Sequence, residues 1–427
     1  MLSVSRIPIA VGLVDAGALG GTVLRGVNVI PGPAPSLASG ARGAPRLQSS
    51  SFDALNFGSC RGPGPIVTGC SIRNPGDDSW SVQPHDYLVL KSVRVRTPSA
   101  AREAETESYY MVVASRSTFS GIFFSGDVLA PGLGGSTATV VSEAAGVLKL
   151  AEAGLDNATV TRVLTAKPYT LWSVGGSDTR CLNFTVTVLP AMSAAWAAAG
   201  AVGRSLYSPS WDCSGFQFAD NVVDSSGRLL IKSGPGTVAN NTVTSAHGIV
   251  IATELPPGGA AGITSVKIAD NRISLAGGHE SMPYGAQGGA ISISIADSGH
   301  HFRNVSAGTP IALANIEVTG NTFDSCHGPN LVLASVVNAT VSGNRFLGSF
   351  ENSVSTSGAS YGVPSTSLVF VSQVDGVRFN ANRVGSNGEP GPEATACVSL
   401  GPGANGHVTG LPDNATSGGA WCKLPRF

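Results

Sequence analysis

Acidic side chains are scarce in this sequence, 27 Asp and Glu among 427 residues, so two adjacent aspartates stand out. They lie in Asn74-Pro75-Gly76-Asp77-Asp78-Ser79-Trp80-Ser81-Val82, and a third, Asp53, precedes Asp77 by 24 residues. Carboxylates gathered in this way suit cleavage of a glycosidic bond. That reaction needs an acid to protonate the departing oxygen and a carboxylate to activate water or attack. Three close carboxylates repel one another, so at least one pKa should rise and supply the acid. The competing reading is structural: Asp is common in turns, and Asp77 and Asp78 would then cap the turn after Pro75-Gly76. The choice rests on whether the fold brings Asp53 onto the same face as the pair.

A repeat supplies that fold. The frame apolar, two residues, Asn, one residue, apolar occurs as Phe218 to Val223, Val238 to Val243, Ile268 to Ile273, Val318 to Phe323, Val341 to Phe346 and Phe379 to Val384, with Asn at 221, 241, 271, 321, 344 and 382. Each apolar residue belongs to a short strand and points inward, while the polar residues between turn the corner. Asn tolerates left-handed backbone angles and bonds neighbouring backbone groups. Stacked coil on coil, the amides form a ladder. Spacings of 20 and 23 residues fit one coil; longer gaps fit coils with inserted loops. The frame extends upstream, with Asn replaced, as Val67 to Ile72 and Leu47 to Phe52, and a further coil is expected at Leu24 to Val29. The expected fold is therefore all-β, a right-handed parallel β-helix. An antiparallel sandwich of short strands does not account for the repeated Asn. In this register Asp53 and Asp77 lie about one coil, ~4.8 Å, apart.

The ladder lapses between about Asp86 and Ser210. Strand-like runs (Tyr110 to Ala114, Gly121 to Phe124, Thr137 to Val141, Phe184 to Leu189), a turn into a strand at Ser125 to Leu129 and a helical stretch from Met192 to Val202 mark an inserted β-rich subdomain. The expected organisation is N-terminal coils over 1–85, the insertion over 86–210, and C-terminal coils and tail over 211–427.

The bulk composition narrows the function classes. A net charge of −1 provides no basic footprint for nucleic acid, and no apolar run reaches the ~18 residues of a membrane span. Six Asn-x-Ser/Thr sequons, at Asn157, Asn183, Asn240, Asn304, Asn338 and Asn414, point to secretion and glycosylation. Arg6 followed by Ile7 to Val14 has the outline of a signal peptide, but Pro8, Asp15 and the lack of a cleavage site oppose it, and a truncated start is the rival reading. Among seven cysteines the plausible pairs are Cys60 with Cys70, Cys181 with Cys213, and Cys397 with Cys422. There is no Cys-x-x-Cys and no His cluster with ligand spacing, so neither a metal nor a cofactor is expected.

An Asp one coil before Gly76-Asp77-Asp78-x-x-x-Val82 resembles the pectin-lyase-like β-helix glycoside hydrolases. Polygalacturonases are one group. The α-1,3-galactosidases are closer in outline, because they too carry a β-rich insertion after the Asp-Asp coil. The stretches Gly227-Arg228-Leu229-Leu230-Ile231-Lys232, Asn240-Asn241-Thr242 and Gly248 to Ile251 are similar to that group's later coils. The resemblance implies an inverting hydrolase in which Asp77 and Asp78 flank the scissile bond and Asp53 assists the water. It also implies Lys232 and Glu254 as sugar contacts, against which Lys232 reads as a solvated strand-edge charge and Glu254 as a loop residue. Positions where relatives carry His hold Asn56 and Gln83, with His85 two residues on, and neither a Gly-His-Gly nor an Arg-x-Lys coil is present. Asn56 and His85 join the candidate substrate contacts. So does Trp80, which would stack on a sugar ring or fill the core.

The leading expectation is a secreted hydrolase of galactoside-type or related glycans, with a polysaccharide or oligosaccharide as partner. The alternative is a non-catalytic carbohydrate-binding or surface-structural β-helix. A polysaccharide lyase comes third, because no calcium cluster is evident.

Overall fold

The computed structural model describes residues 20–30, 53–58, 60, 62–83, 212–225, 227–252, 263–277, 288–295, 301–305, 313–347, 361–364, 367–384 and 396–411. It also gives the strand backbone at 3–4, 13–16 and in stretches between 85 and 208. The chain is a right-handed parallel β-helix: three nine-stranded sheets, all parallel, run the length of the stack. One of them carries the chemistry and is called the site sheet. Its strands stack in the order Leu13–Ala16, Leu55–Gly58, Trp80–Gln83, Leu229–Ile231, Ile249–Ala252, Ile291–Ser294, Leu331–Ala334, Ser367–Ser372 and Ala396–Leu400. Among the described residues no helix is long and apolar enough to cross a membrane.

Period-two alternation fills the interior. Phe216–Ala219 and Val222–Ser225 bury alternate residues. Register then piles like on like: Leu55, Trp80, Leu229, Ile249, Ile291, Leu331 and Val369 form one inward file, all at most 1% exposed. Phe323 stacks on Phe346 with ring centroids 5.1 Å apart.

The Asn frame forms the expected ladder. Asn221, Asn241, Asn271, Asn321, Asn344 and Asn382 are at most 1% exposed. In each of the first five, the backbone N–H and the side-chain amide both donate to the next Asn Oδ1, at 2.9–3.1 Å. The frame does extend to Cys70, whose backbone N–H donates to Asn221 Oδ1 at 2.8 Å. The left-handed residue, however, is the one before the ladder Asn: Asp220, Asn240, Asp270, Gly320, Gly343 and Ala381 have φ between 53° and 66°. The ladder Asn must turn its amide into the stack, so the reversal falls one position earlier.

Strands occupy the expected coil at Val23–Arg25 and Asn28–Val29, and that at Ile66–Thr68 and Ser71–Arg73. Leu47 to Phe52 lies outside the described residues, as do Gly121 to Phe124 and Met192 to Val202. Between Trp80–Gln83 and Phe216–Ala219 the chain forms an eight-stranded antiparallel sheet. It opens with the 13-residue strand His85–Thr97, which pairs with Thr106–Ser115, and closes with Ser205–Ser208 back on His85–Thr97.

The cysteines pair differently from the sequence expectation. Cys60 bonds Cys213, 153 residues away, and Cys70 is a buried free thiol. The insertion returns the chain to the coil it left, so residues distant in sequence become neighbours. Cys397 is disulfide-bonded, and Cys422 lies outside the described residues.

Candidate functional site

The site sits where the chain enters the site sheet. Leu55 pairs with Trp80 and Trp80 with Leu229, so the residues two places earlier, Asp53, Asp78 and Gly227, stack one above the other. Backbone bonds fix this entry: Ala54 N–H donates to the Asp78 carbonyl at 2.8 Å, and Ser79 N–H to the Arg228 carbonyl at 2.8 Å. Gly227 is required here, because a Cβ would lie 2.0 Å from the Asp77 carbonyl oxygen.

One carboxylate oxygen from each of Asp53, Asp77 and Asp78 lies within 4.8 Å of the others. Asp53 and Asp78 are buried, Asp77 half-buried. Asp53 Oδ2 accepts from Asn56 Nδ2 at 2.6 Å and from Ser81 Oγ at 3.1 Å. Asn56 Oδ1 in turn accepts from Gln83 Nε2 at 3.2 Å. Asp78 is clamped by Arg228: Nε donates to one carboxylate oxygen and Nη2 to the other at 3.3 Å. Arg228 itself is buried.

The cluster thus holds three carboxyl groups against one guanidinium. Burial lifts the Asp78 pKa to about 7; Arg228 opposes the rise, while the Asp53 and Asp77 charges add to it. Burial also raises Asp53, reinforced by the Asp77 charge and opposed by hydrogen bonds from Asn56, Ser81 and the Asp78 backbone. Three such oxygens have the hardness a divalent cation prefers, but Arg228 already supplies positive charge to both oxygens of Asp78.

The other candidates do not all gather around this group. Asn56 holds Asp53 rather than standing clear for a substrate. Trp80 is a correction: it is fully buried inside the coil, stacked on Phe218 at 4.8 Å, and cannot meet a sugar. Strand parity turns it inward beneath Leu229. Lys232 is half-buried one residue past Ile231, its backbone N–H bonded to the Val82 carbonyl at 2.8 Å. His85 begins the first strand of the antiparallel sheet, opposite Ser208, and Glu254 lies outside the described residues. Sequence reasoning missed Arg228 and Ser81. Counting Leu229 into the same file as Trp80 would have placed Arg228 at the cluster. Of the sequon asparagines, Asn240, Asn304 and Asn338 are exposed.

No protein-family model matches the chain, and none of the curated proteins matches it.

Proposed function

We propose that the chain is a glycoside hydrolase acting on galactoside-type or related glycans, with Asp53, Asp77 and Asp78 as its acid–base group. The observation that carries this reading is the charge count: three carboxyl groups and one guanidinium share a largely buried space. A net charge near −2 there is costly, so the cluster retains a proton close to neutrality. That proton is what a glycosidic oxygen needs in order to leave. Asp78 is the acid. Asp77, the most accessible of the three, is the carboxylate that activates water, and Asp53, held by Asn56 and Ser81, assists it. The nearest oxygens lie within 4.8 Å, closer than the ~6.5–9.5 Å usual between carboxyl groups of inverting sites. The likeness of Gly76-Asp77-Asp78 to the α-1,3-galactosidase and polygalacturonase motif supports the substrate class, and the exposed sequons support secretion.

A second reading has its own observation. Asp78 and Asp53 are only 5% and 9% exposed, and Arg228 occupies both Asp78 oxygens. A cluster of that kind can serve as an internal tie in a non-catalytic carbohydrate-binding β-helix.

Hydrolysis of a panel of α- and β-linked galactosides and galacturonides separates the two, run with wild type, Asp77→Asn and Asp78→Asn. Release by wild type that falls at least ~100-fold in both folded variants is expected, and the first-formed anomer reports the stereochemistry. No release from any substrate by folded wild-type protein would overturn the hydrolase reading.

A further inference from the structure

A second place on the site sheet has the makings of a binding site. On Leu331–Ala334 and Ser367–Ser372 the outward residues Val332, Ala334 and Phe370 are buried, covered by Phe302, Tyr361 and Val363 in a small core outside the coil. Phe302 lies 5.6 Å from Tyr361 and 6.1 Å from Phe370, ring to ring. At the rim of this core is a cavity of about 300 Å³ lined by His301, Phe302, Tyr361, Ser372, Gln373 and Pro402.

We infer that this cavity binds a single neutral sugar ring, as a subsite separate from the Asp cluster. Its volume is at the low end of the range for small-molecule sites, which suits one ring rather than several. The aromatic residues offer apolar walls of the kind that pack against the C–H face of a pyranose. The His301 imidazole and the Gln373 amide each donate and accept, as sugar hydroxyls require. Among the described residues no carboxylate, lysine or arginine lines the cavity, so these walls offer a charged ligand no counter-ion. The polar rim is fixed in place. Gln373 N–H donates to the Pro402 carbonyl at 2.7 Å, and Ser372 Oγ to the same carbonyl at 3.0 Å. Gly403 leaves room for the Gln373 amide, since a Cβ there would lie 2.5 Å from Gln373 Oε1.

The separation from the catalytic candidates follows from strand order. Trp80–Gln83 to Ser367–Ser372 is five steps along the sheet, roughly 24 Å at ~4.8 Å per strand. One ring cannot touch both places, whereas an extended glycan can reach from one to the other. The choice of ligand rests on the glycan reading above; the cavity itself does not depend on hydrolysis.

The test is titration of the full chain with galactose, and separately with galacturonate, at pH 7.5, followed through the His301 ring resonance. That resonance is identified by its loss in His301→Ala. Galactose should shift it saturably with a Kd in the millimolar range, as befits a small, weakly held ligand. Gln373→Leu, which removes the amide and its hydrogen-bonding groups, should weaken binding at least ~10-fold with the protein still folded, and Asp77→Asn should leave Kd within about twofold. Galacturonate should bind more weakly. An unmoved His301 resonance, undiminished binding in Gln373→Leu, loss of binding in Asp77→Asn, or tighter binding of galacturonate would each overturn the inference. Absent hydrolysis with the His301 shift intact would overturn the catalytic proposal alone.

Discussion

Replacing Arg228 with Met, which keeps the stem and removes the charge, tests the charge balance of the cluster directly. In the native chain the folded pKa of Asp78, about 7, lies above its ordinary value of 3.8. A carboxyl group raised in this way favours the folded state most when protonated. Its contribution is complete below pH ~4 and is lost as the pH climbs through 7. At ~1.4 kcal/mol per pH unit the rise corresponds to at most about 4 kcal/mol. Without Arg228, the loss continues to higher pH, because nothing opposes burial and the Asp53 and Asp77 charges. Breaking a buried ion pair from one side costs about 3–5 kcal/mol when the remaining partner is charged, and much less when it is protonated. The stability gap between wild type and Arg228→Met, from denaturant midpoints, should therefore be about 1 kcal/mol wider at pH 8 than at pH 5, because it grows at ~1.4 kcal/mol per pH unit only above the wild-type value of about 7. A gap of equal size at both pH values would refute the account, since it would mean that Arg228 contributes packing rather than charge.

Three further substitutions follow from the same geometry. Asn271→Ala removes the Oδ1 that receives both the N–H and the amide of Asn241, leaving two buried donors unmet; at ~1–3 kcal/mol each it should cost about 2–5 kcal/mol, and a loss below ~0.5 kcal/mol would contradict the ladder's energetic role. Ala381→Gly relieves an L-residue at φ 53° in an exposed corner and should stabilise the fold by up to about 1 kcal/mol after the entropy of glycine is set against it, seen as a higher thermal midpoint; a lower midpoint would count against that corner. Gly227→Ala drives a methyl group toward the Asp77 carbonyl, so any hydrolytic activity should fall at least ~10-fold even where the protein stays folded, and unchanged activity would separate that backbone contact from the site.

The coils were legible because their constraint acts on residue type. Only a side chain that both accepts and donates can serve as a rung at 221, 241, 271, 321, 344 and 382, and the strands flanking it must bury alternate residues. The convergence of Asp53 on Asp77 and Asp78 was legible for the same reason: one coil separates them. Other features depend on parity and closure, which composition does not encode. Trp80 faces inward because it shares strand parity with Val82, two residues on, not because of its chemistry. Arg228 meets Asp78 across 150 residues and an antiparallel sheet, and Cys60 meets Cys213 across 153. Near neighbours in sequence, such as Cys60 and Cys70, looked better paired until the return point of the chain was known. The left-handed corner was displaced by one residue because the ladder amide and the backbone reversal cannot occupy the same position.

The two long-range links bear on how the site comes into being. Asp53, Asp77 and Asp78 all precede the antiparallel sheet, and Arg228 follows it. Until the chain returns and Leu229 pairs with Trp80, the three carboxyl groups have no guanidinium and no roof. Pairing of that strand does three things together: it brings Arg228 onto Asp78, seats Gly227 against the Asp77 carbonyl, and withdraws Asp78 from water. Placement of Cys213 against Cys60 holds the returning chain to the coil it left. The chemistry proposed for the cluster, a proton retained near neutrality, is thus a property of the closed helix rather than of the Asp-Asp motif. In a peptide carrying Asp53 to Val82 alone, Asp53 and Asp78 would lose the burial that raises them.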